Sequence, residues 1–174
     1  MPNTAQRKSD SKYIALADRV AAKSNCSRRS VGALLVRDGQ IIAAACNGVS
    51  RKYRSCLVAG CPRCKRGGDV GTGYDSCICL HAEQMALAKA AREGKSVRGG
   101  TLYVNLRPCL ACLNLTLAAG VRRIVYKEIW SYGRELELQY KRLSRRLSAF
   151  VHAADEPQDP PHSMNRTLSI RKRS

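Results

Sequence analysis

His81-Ala82-Glu83-Gln84 and Pro108-Cys109-Leu110-Ala111-Cys112 decide how this chain reads. Together they offer one imidazole, two thiols and a carboxylate beyond what a metal set needs. Three protein ligands on a tetrahedral zinc leave the fourth position to water, which is the arrangement of a catalytic rather than a structural site. Each run also sits where a helix should begin. His81 to Arg92 carries apolar Met85, Leu87 and Ala88 and ends at Gly94, while Pro108 suits the entry of a second helix, Cys109 to Ala119, closed by Gly120. A spacing of three puts Cys109 and Cys112 one turn apart on one face. Two helix N-termini then point at one ion, and their dipoles favour thiolates. Zinc in that position lowers the pKa of a water towards about 7, and Glu83 is placed to take the proton.

Working outward, Thr101–Val104 reads as a short strand between these helices and Arg123–Tyr126 as another after them. A charged helix, Arg134 to Arg145, follows, with a fifth strand expected in Leu147–His152. Upstream, Val31–Val36 and Ile41–Ala45 flank Asp38-Gly39, a hairpin turn signal. Tyr13, Leu16, Ala17, Val20 and Ala21 form a helical stripe beginning at Lys12. This order implies an α/β domain over residues 12–154, with a mixed, about five-stranded sheet covered by helices. Residues 1–11 and 155–174 are expected to be basic, disordered flanks.

At 174 residues and 44% hydrophobic content the chain suits one globular domain. No apolar run approaches the roughly 20 residues of a membrane span. The first residues lack the apolar stretch of a signal peptide, so a cytoplasmic protein is expected. Nine cysteines crowd mainly into residues 56–79 and 109–112, and spacings such as Cys61-Pro62-Arg63-Cys64 favour metal over disulfides. The segment from Asn47 to Leu80 has no clear periodicity. A loop of about thirty residues is uncommon unless it is functional or internally braced. Cys26, Cys56, Cys61 and Cys77 suit a closed structural zinc that would brace it, with Cys64 and Cys79 as rival ligands. The formal charge of +18 points to anionic partners, either nucleotides or nucleic acid. Arg28, Arg29, Arg107 and the run Arg51-Lys52-Tyr53-Arg54 offer phosphate contacts.

The pairing of H-x-E with P-C-x-x-C resembles the signature of zinc nucleobase deaminases. Residues 12 to about 150 resemble the deoxycytidylate (dCMP) deaminase family, in particular its bacterial and phage branch with the ComE-type proteins. The resemblance is carried by Ser24–Ala33, Asn47-Gly48, Ser55–Cys61 and Cys77-Ile78-Cys79-Leu80-His81-Ala82-Glu83-Gln84. It implies a cytidine deaminase-like three-layer α/β/α fold. It also implies zinc on His81, Cys109 and Cys112, with an activated water attacking C4 of the base while Glu83 shuttles protons. The same alignment favours Cys61 over Cys64 and Cys77 over Cys79 in the second, structural zinc site. Asn47 matches a sugar contact and Arg92 a position tied to nucleotide handling, and a homo-oligomer is implied. The chain departs from the pattern at Met85, Asn105, Arg107, Trp130 and Cys46, all near the expected substrate edge. The leading expectation is dCMP converted to dUMP with ammonia release. Deamination of cytosine or adenosine in single-stranded DNA or RNA stands as the alternative, and a zinc-braced nucleic-acid-binding protein without turnover as a third.

Overall fold

The computed structural model describes residues 4–49, 53–67, 72–73 and 76–154. The elements run α1 (Thr4–Ala21), β1 (Gly32–Arg37), β2 (Gln40–Cys46), α2 (Cys56–Ala59), α3 (Pro62–Arg66), α4 (Ala82–Arg92), β3 (Thr101–Leu106), α5 (Leu110–Ala118), β4 (Arg123–Glu128), α6 (Arg134–Ser144) and β5 (Ala149–His152). Among the described residues one sheet forms, in the order β2-β1-β3-β4-β5. β1 pairs antiparallel with β2 and β3, whereas β3, β4 and β5 run parallel. The sheet is therefore mixed, because a two-residue turn joins β1 to β2 while helices cross over between the parallel strands. Asp38 and Gly39 both take positive φ in that turn, at 52° and 74°, which matches the twist of a tight hairpin.

Alternation along the strands sorts side chains into two cores. Leu34, Val36, Tyr103 and Val125 point to one face and meet Tyr13, Ile14 and Ala17 of α1. Ala33, Leu35, Leu102, Val104 and Ile124 point to the other and meet α4, α5 and α6 through Ala86, Leu113 and Tyr140. Three layers result, α1 on one side and the other long helices opposite. The close seat of α1 needs Gly32, where an added Cβ would collide with the carbonyl of Ala17.

α1 begins at Thr4. Residues 4–11, expected to be disordered, are therefore helical, and the folded domain opens eight residues earlier than Lys12 suggests. The physical cause is Asp10, which has no apolar signature yet is buried on α1. It takes two hydrogen bonds from Arg123, at 2.6 and 2.8 Å, and one from the Tyr103 hydroxyl at 2.9 Å, while Gln6 braces it one turn back. Residues 1–3 and the expected tail, 155–174, lie outside the described residues. No described helix is long and apolar enough to cross a membrane.

The aperiodic segment after β2 is organised by short pieces. Gly48 and Leu80 bridge their backbones in both directions, at 3.0 and 2.9 Å, and so tie its two ends together. α2 and α3 lie between them, and single-turn helices of this length leave no periodic signal in the sequence. Each is capped locally: the Ser55 hydroxyl accepts from the Leu57 amide and the Cys61 sulfur from the Cys64 amide.

Candidate active site and metal centres

α4 and α5 converge on one point. His81 is the N-cap of α4 and Cys109 the N-cap of α5. The Gln84 side chain accepts from the His81 amide at 2.9 Å, which sets the direction in which α4 starts. The Cys109 sulfur accepts from the Cys112 amide at 3.4 Å, so the second thiol lies one turn along. The Nδ1 atom of His81 is 3.4 Å from each of the two sulfurs. With Zn–N near 2.0–2.1 Å and Zn–S near 2.3 Å, a tetrahedral ion needs N···S separations of about 3.5 Å. The donor set fits zinc in kind and in spacing.

Glu83 is 3% exposed and lies against this set. Burial, followed by the negative charge of Cys109, pushes its carboxyl up to about 7. The Cys112 thiol, with His81 beside it, holds Cys109 down at about 4, while Cys112 is pushed up by the thiolate next to it. The carboxylate is thus kept out of bulk water at the one place where a proton must be moved.

A cavity of about 700 Å³, open mouth included, leads to this floor. Val31, Ala82, Leu106 and Trp130 supply apolar walls, with Asn47, Arg28, Arg29 and Arg63 around them. Asn47 is buried, and its amide is largely committed: Oδ1 accepts from Ser24 and from the Val31 amide, and Nδ2 donates to the Arg29 carbonyl. One amide hydrogen of Asn47 remains for a ligand. Val31, Ala82 and Trp130 lie in or beside the family-like stretches, whereas Leu106 carries no sequence signal as a wall. Buried aliphatic walls carry no mark that separates them from core.

Two expected substrate contacts, Arg107 and Arg92, sit differently from each other. Arg107 lines the cavity, but its guanidinium makes a bidentate pair with Glu137 at 2.7 and 3.1 Å and donates to the Trp130 carbonyl at 2.6 Å. Its plane also stacks 3.8 Å from the Tyr140 ring centroid. The side chain props a wall with its charge already paired to Glu137. Arg92 is exposed at the far end of α4, which at 1.5 Å per residue lies about 16 Å from His81. Of the basic run, Arg51 and Lys52 lie outside the described residues, while Asn105 serves the scaffold by accepting from the Gly32 amide.

The remaining thiols gather beside the cavity. Cys56, Cys61 and Cys79 are buried, and Cys26, Cys64 and Cys77 pack against them. Two triplets have sulfurs all within 4.8 Å of one another: Cys26, Cys56, Cys79 and Cys56, Cys61, Cys64. Of the expected quartet, Cys26, Cys56 and Cys61 thus fall in these triplets with the rivals Cys79 and Cys64, while Cys77 packs against the group without joining either triplet. The neighbouring Cys79 thiol lowers both Cys26 and Cys77, to about 5.

Known proteins bear on this geometry as follows. The family model for the cytidine and deoxycytidylate deaminase zinc-binding region matches residues 7–128. The deoxycytidylate deaminase of Schizosaccharomyces pombe is 38% identical over 125 residues, covering 72% of this chain and 38% of that protein. The chain thus spans under two-fifths of the length of that relative. The deoxycytidylate deaminase of Mycobacterium phage D29 is 36% identical over 122 residues, 67% of this chain and 92% of that protein. Crystal structures of the dCMP deaminase of cyanophage S-TIM5 share the fold. The apo form has a TM-score of 0.60 at 27% identity over 82% of this chain and 95% of that one, and the complex with dCMP and dUMP 0.63 at 24% over 87% and 99%.

Proposed function

We infer that this chain, which belongs to the cytidine and deoxycytidylate deaminase family, hydrolyses dCMP to dUMP and ammonia. The observation that carries this reading is Glu83, buried at the floor of a cavity beside His81, Cys109 and Cys112. His81, Cys109 and Cys112 would hold zinc, and zinc there would supply a water acidified towards about pKa 7. Glu83 takes one proton from the attacking water, gives it to the ring nitrogen next to C4, and moves the second proton to the departing amine. The sum is one water consumed, one C–N bond broken and one carbonyl formed. Val31, Leu106 and Trp130 exclude solvent from the base, which strengthens every charge interaction in the slot.

Arg28 and Arg29 line the cavity, and their guanidinium forks match a 5′-phosphate. The free amide hydrogen of Asn47 suits a sugar hydroxyl. The S-TIM5 enzyme, in complex with dCMP and dUMP, accepts a ligand of this class on the same fold. Zinc in the cysteine group, in turn, braces the segment that carries Arg63. Self-association of the chain is proposed through α5 and α6, where Leu115, Leu136 and Leu138 are exposed; light scattering on the purified chain reads the mass directly.

Ammonia release from dCMP, dCTP, deoxycytidine, adenosine and a single-stranded oligonucleotide tests the substrate. We expect dCMP to lead by at least about tenfold in kcat/KM, a margin worth about 1.4 kcal/mol. Glu83→Gln should lower turnover about 10³-fold while zinc content stays constant. Editing of the oligonucleotide with dCMP inert would overturn the mononucleotide reading. A fully zinc-loaded protein inert to the whole panel would overturn the enzyme.

A further inference from the structure

We propose that the cysteine-rich segment holds two zinc ions in one thiolate-bridged cluster. A single tetrahedral ion takes four sulfurs. Here six free thiols share one cluster, and among the described residues the sets close enough for one ion contain three sulfurs each. Cys26, Cys56 and Cys79 surround one position, and Cys56, Cys61 and Cys64 surround another. Within the second, Cys64 is 3.1 Å from Cys61 and 3.7 Å from Cys56. Cys56 belongs to both sets, so its sulfur faces two ions at once.

Each set lacks a fourth ligand. Cys77 stands outside both sets but packs against the same cluster, with Cys79 of the first set and Cys61 of the second as its neighbours. Two tetrahedral ions need eight metal–sulfur bonds, and six sulfurs supply them when two sulfurs bridge. Cys56, common to both sets, is one bridge; Cys77, packed against the cluster, would move in as the other when metal binds, with Cys26 and Cys79 terminal on one ion and Cys61 and Cys64 on the other. The charge also balances. Six thiolates on two dications leave the same −2 as four thiolates on one, so the second ion absorbs two further thiols at no cost in net charge. Arg28, Arg29 and Arg63 line the cavity beside Cys26, Cys77 and Cys79, so the cluster is one wall of the substrate site.

This proposal rests on metal in the cysteine group but not on dCMP as substrate. The full-length chain, purified with reductant from zinc-supplemented cells, is measured by native mass spectrometry and elemental analysis. Three zinc ions per chain are expected, falling to two in Cys112→Ser. Cys64→Ser and Cys79→Ser should each lose at least one ion. Replacement by ¹¹³Cd should give two tetrathiolate resonances coupled to one another through the bridging sulfurs, a readout on the unmutated chain that no folding defect can imitate. Two zinc ions per chain, unchanged by Cys64→Ser or Cys79→Ser, would overturn the pair and leave a single ion. One ion per chain would remove metal from the group altogether, and visible absorption from iron and sulfide would overturn zinc; the turnover panel is untouched by either result.

Discussion

The two thiol-bearing centres of this protein are built in opposite ways. At His81, Cys109 and Cys112 the ligands ride on the first turns of α4 and α5, and those helices pack on the sheet through Ala86, Ala90 and Leu113. The ligand spacing of 3.4 Å follows from a framework that backbone hydrogen bonds and apolar burial already hold. In the cysteine-rich segment, two helices of four and five residues have little core of their own. Their buried cluster consists of Val49 and the thiols themselves. The difference teaches which centre is made by the fold and which makes it. Catalysis needs ligands that the fold already holds in place, whereas a brace only needs metal to be present.

Removal of metal should break the symmetry most. Chelation is expected to raise amide exchange across residues 53–67 and 76–80 by orders of magnitude and to expose them to protease. β1, β3 and β4 should keep their protection, because their cores contain no thiol. Zinc should restore both regions. Equal loss of protection in the sheet and the segment would show that the catalytic frame, too, depends on metal.

The next largest effect concerns what holds the frame. Glu137→Leu strands the buried guanidinium of Arg107, whose side chain is 6% exposed. Breaking a buried pair on one side costs about 3–5 kcal/mol. The measured denaturation midpoint should fall accordingly, and kcat/KM with it, since Arg107 also holds the Trp130 carbonyl at the cavity wall. Metal in the cysteine group should be unaffected. If thiol-bound zinc were lost as well, the two centres would be one cooperative unit.

On the far face the Asp10–Arg123 pair does a similar job. Burial works to raise Asp10, but hydrogen bonds from Arg123, Gln6 and Tyr103 prevail and hold it below its ordinary value. A depressed carboxyl adds stability that is fully present above the unfolded pKa near 4 and is lost as pH falls through the folded one. Asp10→Asn should therefore cost about 3 kcal/mol at neutral pH and flatten the decline of stability below pH 4. An acid limb as steep as that of the unaltered chain would place the sensitivity elsewhere.

What was legible in the sequence divides along the same line. Asp38-Gly39, the apolar alternation of β1 and the helix entries at His81 and Cys109 are local signals, and the structure follows them. α2, α3 and the first half of α1 are not local: single turns have no periodicity, and Thr4–Asp10 is helical because Arg123, far along the chain, takes up Asp10. Arg107 shows the same limit in the site. Its type and position beside Pro108 suggest phosphate, yet its partner Glu137 lies on a charged helix whose one buried face the sequence does not mark. Spacing identified Cys61 and Cys64 as a ligand pair and put Cys56 in the expected quartet, but only folding brings Cys79 close to Cys26 and Cys56 and Cys64 close to Cys56 and Cys61.

The smallest effect is expected at Arg92, and it tests how far the catalytic centre extends. Its side chain is exposed on the last turn of α4, where a basic residue favours the helix dipole by a few tenths of a kcal/mol. Arg92→Ala should shift stability by no more than about 0.5 kcal/mol, as is usual for an exposed substitution. Within one chain it cannot reach the cavity, so KM for dCMP in dilute, monomeric protein should be unchanged. A raised KM that appears only at concentrations where the chain self-associates would place Arg92 at the mouth of a neighbouring copy's cavity. That outcome would move a family-derived contact from within the chain to between chains, and the catalytic centre would then be completed by assembly rather than by α4 and α5 alone.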